Sequence, residues 1–260
     1  MRAQKRYGQN FLKNPEKIRH IVESLDIQPG DIVVEIGPGH GELTERIMNY
    51  EVRIMGVEKD MRLAAELKKR FQKNRNIEIV CGDALKVLPK IISDYSLQTT
   101  HYKLVGNIPY YITGHLLRIL GELPKKPSVI VLTVQKEVAE RLAAHPPKMN
   151  LLAASVQVWA EPKIIEIIPR SDFSPQPKVD SAIIKLVMLP KDKSIITESY
   201  YPFIRALFKQ PRKTVLNNLK TLEIPQETLL GLLKQYGVDP HSRPQDLGVQ
   251  IIKNLARDSV

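Results

Sequence analysis

The chain has 260 residues, 43% of them hydrophobic and 26% charged, which excludes disordered and low-complexity classes and suffices for one large domain and one small one. Its net charge of +11 suits a polyanionic partner, because clustered lysines and arginines gain affinity by releasing counterions from phosphates; a solvated basic surface is the alternative. A single cysteine, Cys81, excludes an intrachain disulfide and any zinc site built on paired cysteines, and the histidines lie without ligand spacing, so no metal is expected.

The N-terminal stretch MRAQKRYGQNFLKN is basic but lacks the apolar core of a signal peptide. No apolar run is long enough to cross a bilayer, so a cytoplasmic chain with no membrane partner is expected. The runs IVVEI (32–36), RIMGV (53–57), IEIVC (77–81), KLVG (103–106) and VIVLTV (129–134) read as strands. Between them lie stretches of helical spacing, such as Leu43 with Ile47 and Leu63 with Leu67. This alternation predicts an α/β fold with a mostly parallel sheet covered on both faces. PKIIEIIP (162–169) and KVDSAIIKLVML (178–189) follow, and look like an antiparallel hairpin at the sheet edge. From Thr197 onward the pattern is helical throughout, with Pro211 suited to a first turn of PRKTVLNNLK and Gly237 to a helix stop. LPKDKS (189–194) therefore reads as a boundary between a domain of residues 1–190, opening on a basic arm of 1–14, and an all-helical domain of 191–260.

The first long strand ends in VEIGPGHGELT, where glycines 37, 39 and 41 let the turn pass beneath a ligand at the carboxyl end of the strand. A dinucleotide fingerprint would place its third glycine where this chain has Glu42, a carboxylate at the helix N-terminus that would have to receive a pyrophosphate. The next strand ends in GVEKD, placing Glu58 where an acid accepts hydrogen bonds from both ribose hydroxyls. The one after it ends in CGDAL, where Asp83 can accept from an adenine amino group. Singly, each acid is also explained as a helix N-cap or a solvated loop charge. Together they describe an adenosine site without a phosphate site, and hence S-adenosylmethionine.

The fourth strand ends in LVGNIPYYITG (104–114), which places Asn107 beside the cofactor's reactive methyl. A plain turn is the alternative for Asn-x-Pro-Tyr. An exocyclic adenine amine has its lone pair delocalised into the ring and no proton that a base of ordinary pKa removes first. It gains from acceptors for its hydrogens: the side-chain oxygen of Asn107 and the main-chain carbonyl of Ile108 or Pro109. Catalysis would then rest on positioning and fixed dipoles. Tyr110 supplies a ring to stack on the base.

With these motifs in view, the chain resembles the ribosomal RNA adenine N6,N6-dimethyltransferases along nearly its whole length, and within them the small-subunit (16S) branch, the KsgA/RsmA family. The matching stretches are KRYGQNFL (5–12), VVEIGPGHGELT (33–44), VEKD (57–60), GDAL (82–85), NIPYYIT (107–113) and FSPQPKVDSAIIKL (173–186). The resemblance implies a Rossmann-like class I methyltransferase core plus a small all-α C-terminal domain. It implies dimethylation of two adjacent adenosines in the 3′-terminal hairpin of small-subunit RNA, with S-adenosylhomocysteine as product and a role in small-subunit biogenesis. It implies cofactor-binding roles for Asn10, Leu12, Gly37, Gly39, Glu58, Lys59, Asp83, Ala84 and Asn107. The catalytic pocket would be Asn107, Pro109 and Tyr110, with Phe173 as a second aromatic on the target base. Lys5, Arg6, Arg205, Lys209, Arg212 and Lys213 are the expected RNA contacts, on a monomer acting on a 30S-type particle. Where the family usually carries paired arginines before Lys-Thr, this chain has Pro211-Arg212, one charge fewer. A ribosome-assembly factor and a nucleotide-binding dehydrogenase are the competing classes; Glu42, and the lack of a proton-transfer residue near Asn107, argue against the second.

Overall fold

The computed structural model describes residues 4, 7–94, 101–190 and 197–259. The expected RNA contacts Lys5 and Arg6, and residues 191–194 of the expected boundary, lie outside the described residues. The elements in chain order begin with β1 (Phe11–Leu12), α1 (Pro15–Glu23), β2 (Ile32–Ile36), α2 (Glu42–Met48), β3 (Arg53–Glu58), α3 (Met61–Phe71), β4 (Ile77–Cys81) and α4 (Ala84–Asp94). They continue with β5 (Tyr102–Asn107), α5 (Thr113–Glu122), β6 (Val129–Gln135), α6 (Lys136–Leu142), α7 (Leu151–Gln157), β7 (Ala160–Ile168), β8 (Phe173–Ser174) and β9 (Ser181–Met188). α8 (Thr197–Leu207), α9 (Val215–Leu219), α10 (Gln226–Gln235) and α11 (Val249–Asp258) follow.

The main sheet has seven strands in the order β4-β3-β2-β5-β6-β9-β7. β2 pairs in parallel with β3 and β5, β3 with β4, and β5 with β6; β9 runs antiparallel to β6. From β2 the chain builds outward through β3 and β4, then returns to the other flank at β5. That reversal opens a crevice at the carboxyl ends of β2 and β5, the usual ligand position in an open α/β sheet. Register sets Ile36 beside Val57 and Gly106, and Glu58 beside Cys81, so the ends carrying the glycine turn, the acids and Asn107 finish level. Strand β2 is buried along its length, as expected of a central parallel strand. Val33, Ile54, Val105 and Val131 pack with Ile18, Ile21 and Val22 of α1, each such side chain contributing roughly 1.5–3 kcal/mol by burial. Asn14 caps α1 by accepting from the amides of Glu16 and Lys17, ahead of Pro15, whose missing N–H costs nothing there.

The predicted edge hairpin is more elaborate than expected. β9 lies between β6 and β7, so β7 is the outer strand. The connection contains β8, which pairs antiparallel with β1 in a separate two-stranded sheet, Phe11 opposite Ser174 and Leu12 opposite Phe173. The basic arm is thus not a free tail at Phe11 and Leu12.

The chain divides into two compact units, Met1–Ala139 with Lys163–Met188, and Glu140–Pro162 with Leu189–Val260. The second unit takes in the end of α6 and all of α7 as well as the C-terminal helices. α7 is held there by its Asn150 cap and by the Tyr200 hydroxyl, which donates to the Ala154 carbonyl at 2.9 Å. The helix expected to open at Pro211 opens instead at Val215, capped by Thr214. Buried Asn218 accounts for the delay. Its amide donates to the carbonyls of Gln210, Lys213 and Thr214, and its oxygen accepts from the Gln210 amide at 2.9 Å, winding 210–214 into a turn. Gly237, with φ of +64°, follows α10 as the expected stop.

Candidate active-site cleft

A cleft opens over the carboxyl ends of β2, β3, β4 and β5, and Tyr7–Leu12 form one of its walls. Of the expected site residues, it brings together Asn10, Leu12, Gly37, Gly39, Glu58, Lys59, Asp83, Ala84, Asn107, Pro109 and Tyr110. The glycine turn is built by left-handed backbone: φ is +68° at Gly37 and +63° at Gly39. A Cβ on Gly37 would meet nothing within 4 Å, which leaves open space above the turn. At Gly39 it would strike the Phe11 ring at 3.1 Å, so the arm packs directly on the turn.

Glu58 is 5% exposed, and each of its oxygens accepts one backbone N–H, from Gly39 at 3.0 Å and from Asp60 at 2.8 Å. Burial raises its pKa, while the Asp60 and Gly39 amides pull in the opposite direction without reversing the shift. Each oxygen keeps a second lone pair for a ligand. Asp83 accepts from the Leu85 amide at 3.1 Å, capping α4, and from Lys59 Nζ at 2.8 Å. Partial burial pushes its carboxyl up, but the Lys59 bond and the Leu85 amide outweigh it and hold the pKa low. The cap and the cleft wall are therefore one residue, and Lys59 reaches the cleft as its ion-pair partner. Glu42, Glu58 and Asp83 make the lining acidic and unsuited to a pyrophosphate.

Asn107 donates through Nδ2 to the main-chain carbonyl of Asn10 at 2.9 Å. Its Oδ1 has no hydrogen-bond partner among the described residues. Tyr110 opens a short 3-10 turn (Tyr110–Ile112), is half-buried, and shares a 2.7 Å hydrogen bond between its hydroxyl and that of Ser181 on β9. Burial raises the Tyr110 pKa, partly offset by Ser181.

Phe173 is not among the residues lining the cleft. At 4% exposure it belongs to the core cluster with Leu12, Ile18, Ile168 and Ile183, because the β1–β8 pairing sets Leu12 opposite it. Arg205, Lys209, Arg212 and Lys213 are exposed, at the end of α8 and on the turn before α9 in the second unit. Among the described residues none of the four pairs with an acid.

Sequence reasoning passed over Asp60. Its carboxylate caps α3 through the Arg62 amide and accepts from the side chains of Gln4 and Gln9 at 3.2 and 3.4 Å, tethering the arm. The Arg62 hydrogen bond holds its pKa below the usual carboxylate range. An acid just before a helical run was the available signal. Tyr111, exposed at the cleft edge, was also passed over.

This sheet order, with a cleft at the β2/β5 reversal, is the class I, Rossmann-like methyltransferase fold. A dimethyladenosine transferase from Plasmodium falciparum superposes with a TM-score of 0.80 at 27% identity, covering 94% of this chain and 95% of that one. The 23S rRNA methyltransferase ErmE shares the fold with a TM-score of 0.76 at 24% identity, covering 96% of this chain and 99% of that one. Residues 1–255 match the model of the ribosomal RNA adenine dimethylase family, and the chain belongs to that family. Among its relatives, the ribosomal RNA small subunit methyltransferase A of Dehalococcoides mccartyi (strain ATCC BAA-2266 / KCTC 15142 / 195) is 36% identical over 98% of this chain and 88% of its own. The protein of that name from Moorella thermoacetica is 34% identical over 96% of this chain and 90% of its own.

Proposed function

We propose that this ribosomal RNA adenine dimethylase transfers methyl groups from S-adenosylmethionine to the N6 amines of two adjacent adenosines in the 3′-terminal hairpin of small-subunit RNA, releasing S-adenosylhomocysteine. The observation that carries the proposal is the orientation of Asn107, whose amide nitrogen donates to the Asn10 carbonyl. Its oxygen is thereby left as an acceptor at the cleft, beside the main chain of Ile108 and Pro109.

The cleft suits the cofactor on its own chemistry. Glu58 has a lone pair on each oxygen for the ribose diol, Asp83 lies where it can accept from an adenine amino group, and Ile36, Val57 and Ala84 supply apolar wall. Gly37 and Gly39 let the backbone pass beneath. An acidic, phosphate-averse lining favours a cationic ligand, and the cofactor supplies an activated methyl on a positively charged sulfur. Lys59 keeps Asp83 ionised, while Asn10, Leu12 and the other cleft-wall residues of 7–12 exclude water.

Tyr110 offers its ring to the extruded base. Asn107 Oδ1 and the carbonyl of Ile108 or Pro109 accept the amine hydrogens and aim the nitrogen lone pair, so the transition state is favoured by placement and fixed dipoles. After transfer the amine, now cationic, gives up its proton to solvent. Arg205, Lys209, Arg212 and Lys213 take RNA phosphates, with Lys5 and Arg6 assisting from the arm, as the protein works as a monomer on a 30S-type particle in the cytoplasm during small-subunit biogenesis. Support for the substrate comes from the family and from relatives named for the small subunit. The test is mass mapping of methylated adenosines after incubation with unmodified small-subunit particles and cofactor. N6-dimethylation at two neighbouring adenosines is expected; methylation elsewhere, or none, overturns the reading.

A further inference from the structure

Tyr111 is 61% exposed, an unusual position for an aromatic ring beside a half-buried one. It follows Tyr110 on the same 3-10 turn and lines the outer edge of the cleft. Its ring lies against Gly8 of the arm: a Cβ there would come within 3.2 Å of it, and Gly8 itself has φ of +61°. Glycine at position 8 thus lets the arm support the ring from one side. The hydroxyl has no hydrogen-bond partner among the described residues, and beyond the Gly8 contact most of the ring is open to solvent.

Helix α5 begins two residues further on, and on it His115 and Arg118, three residues apart and so on one face, are both exposed. Arg118 is held by Glu122 through a 3.0 Å bond from its Nε. A tyrosine, an imidazole and a guanidinium share one property: each presents a flat face on which a nucleobase stacks, and the last adds charge for a neighbouring phosphate.

We propose that Tyr111 is a second base-stacking platform, outside the pocket, which holds the nucleotide next to the target adenosine, with His115 and Arg118 guiding the strand away. The proposal rests on the RNA reading above and deepens it. An extruded base draws its neighbours out of their stack, and a platform beside Tyr110 compensates the neighbour while the target is inside. With two adjacent targets, the nucleotide waiting on Tyr111 is the next to be methylated or the one just finished.

The test uses the full-length protein and unmodified small-subunit particles whose RNA carries 2-aminopurine at the nucleotide flanking one target adenosine. Wild type and Tyr111→Phe should quench its fluorescence on binding. Tyr111→Ala should not, and its affinity for the particle should fall about 5- to 150-fold, the equivalent of one stacked base. Arg118→Ala should reduce the salt dependence of binding with the quench kept. Tyr111→Ala quenching and binding as wild type does would overturn the platform alone, provided wild type methylates the other adenosine. Absence of methylation by wild type would overturn the substrate reading and the platform with it.

Discussion

Asn107 Nδ2 and the Asn10 carbonyl stand 2.9 Å apart, joining the end of β5 to the N-terminal arm across 97 residues of sequence. One side chain thereby has two tasks, because the donor end of the amide closes the arm and the acceptor end faces the cleft. Asn107→Ala removes both. Single-turnover methyl transfer should fall about 100- to 1,000-fold, as for the loss of a group needed mainly in the transition state. Asn107→Asp separates the tasks: it keeps an acceptor but sets a carboxylate against the Asn10 carbonyl. Cofactor affinity by calorimetry should therefore fall more in the Asp variant than in the Ala variant. The same affinity in both would sink the arm-closing role.

Glu58→Ala should weaken cofactor binding by about 1.5–3 kcal/mol, the usual worth of hydrogen bonds to a charged acceptor. The Gly39 and Asp60 amides lose their partner in the same step, so part of the loss is disorder of the glycine turn. Glu58→Gln has one acceptor oxygen for two amides and should fall between wild type and Ala. Calorimetry with the cofactor decides it, and unchanged affinity in the Ala variant would remove the ribose assignment.

Much of this site was legible in the sequence because its parts sit at strand ends, where an apolar run stops and a glycine, an acid or an asparagine follows. Gly37, Glu58, Asp83 and Asn107 each stand at such a break. Phe173 shows what was not legible. Two-residue strands carry no period, so nothing local reveals that Phe173 is opposite Leu12 and buried. The start of α9 was hidden because Pro211 fits a first helical turn, while Asn218, seven residues on, takes over the preceding backbone groups. Residues 140–162 carry no boundary signal of their own, and only packing assigns them to the helical unit.

Glu35 was visible as a charge inside the apolar run IVVEI. It is fully buried; one oxygen accepts from the Thr44 hydroxyl at 2.6 Å and the other has no partner among the described residues. Burial pushes its pKa up to about 8; the Thr44 bond opposes this, and Glu42 and Glu58 add to it. Unfolded, the group titrates near ~4.3. A carboxyl with a raised folded pKa binds more protons folded than unfolded. Its contribution to stability is thus complete below the unfolded value and is lost as pH rises to about 8. The melting temperature of wild type should drop across that interval relative to Glu35→Gln, which has nothing to titrate. Parallel pH profiles for the two proteins would show that Glu35 is not buried as a neutral acid.

Arg212 and Lys213 lie on the turn fastened by Asn218, free of acidic partners among the described residues. Replacing both by Ala should weaken binding to small-subunit particles and reduce the slope of log affinity against log salt by about 0.7–0.9 for each phosphate no longer neutralised. Cofactor affinity should not change. A salt slope equal to that of wild type would mean that this turn does not touch phosphate.

The proposed chemistry uses no acid or base, and the cleft's acceptor end has none that titrates near neutrality. The Asn107 amide does not titrate, and burial moves the Tyr110 hydroxyl further above neutral pH. Single-turnover methyl transfer at saturating cofactor should then be nearly flat between about pH 6.5 and 8.5. Saturation matters, because Glu58 lines the cleft with a raised pKa and would give cofactor binding a pH dependence separate from the chemical step. Tyr110→Phe loses the hydroxyl bond to Ser181, about 1 kcal/mol of stability, but keeps the ring. It should retain most of the rate and the same flat profile. Tyr110→Ala loses the stacking face, roughly 1–3 kcal/mol, and should lose both RNA affinity and rate. A bell-shaped profile in wild type at saturating cofactor, or a Tyr110→Phe enzyme as impaired as Tyr110→Ala, would mean that a proton-transfer group takes part and that placement alone does not account for the reaction.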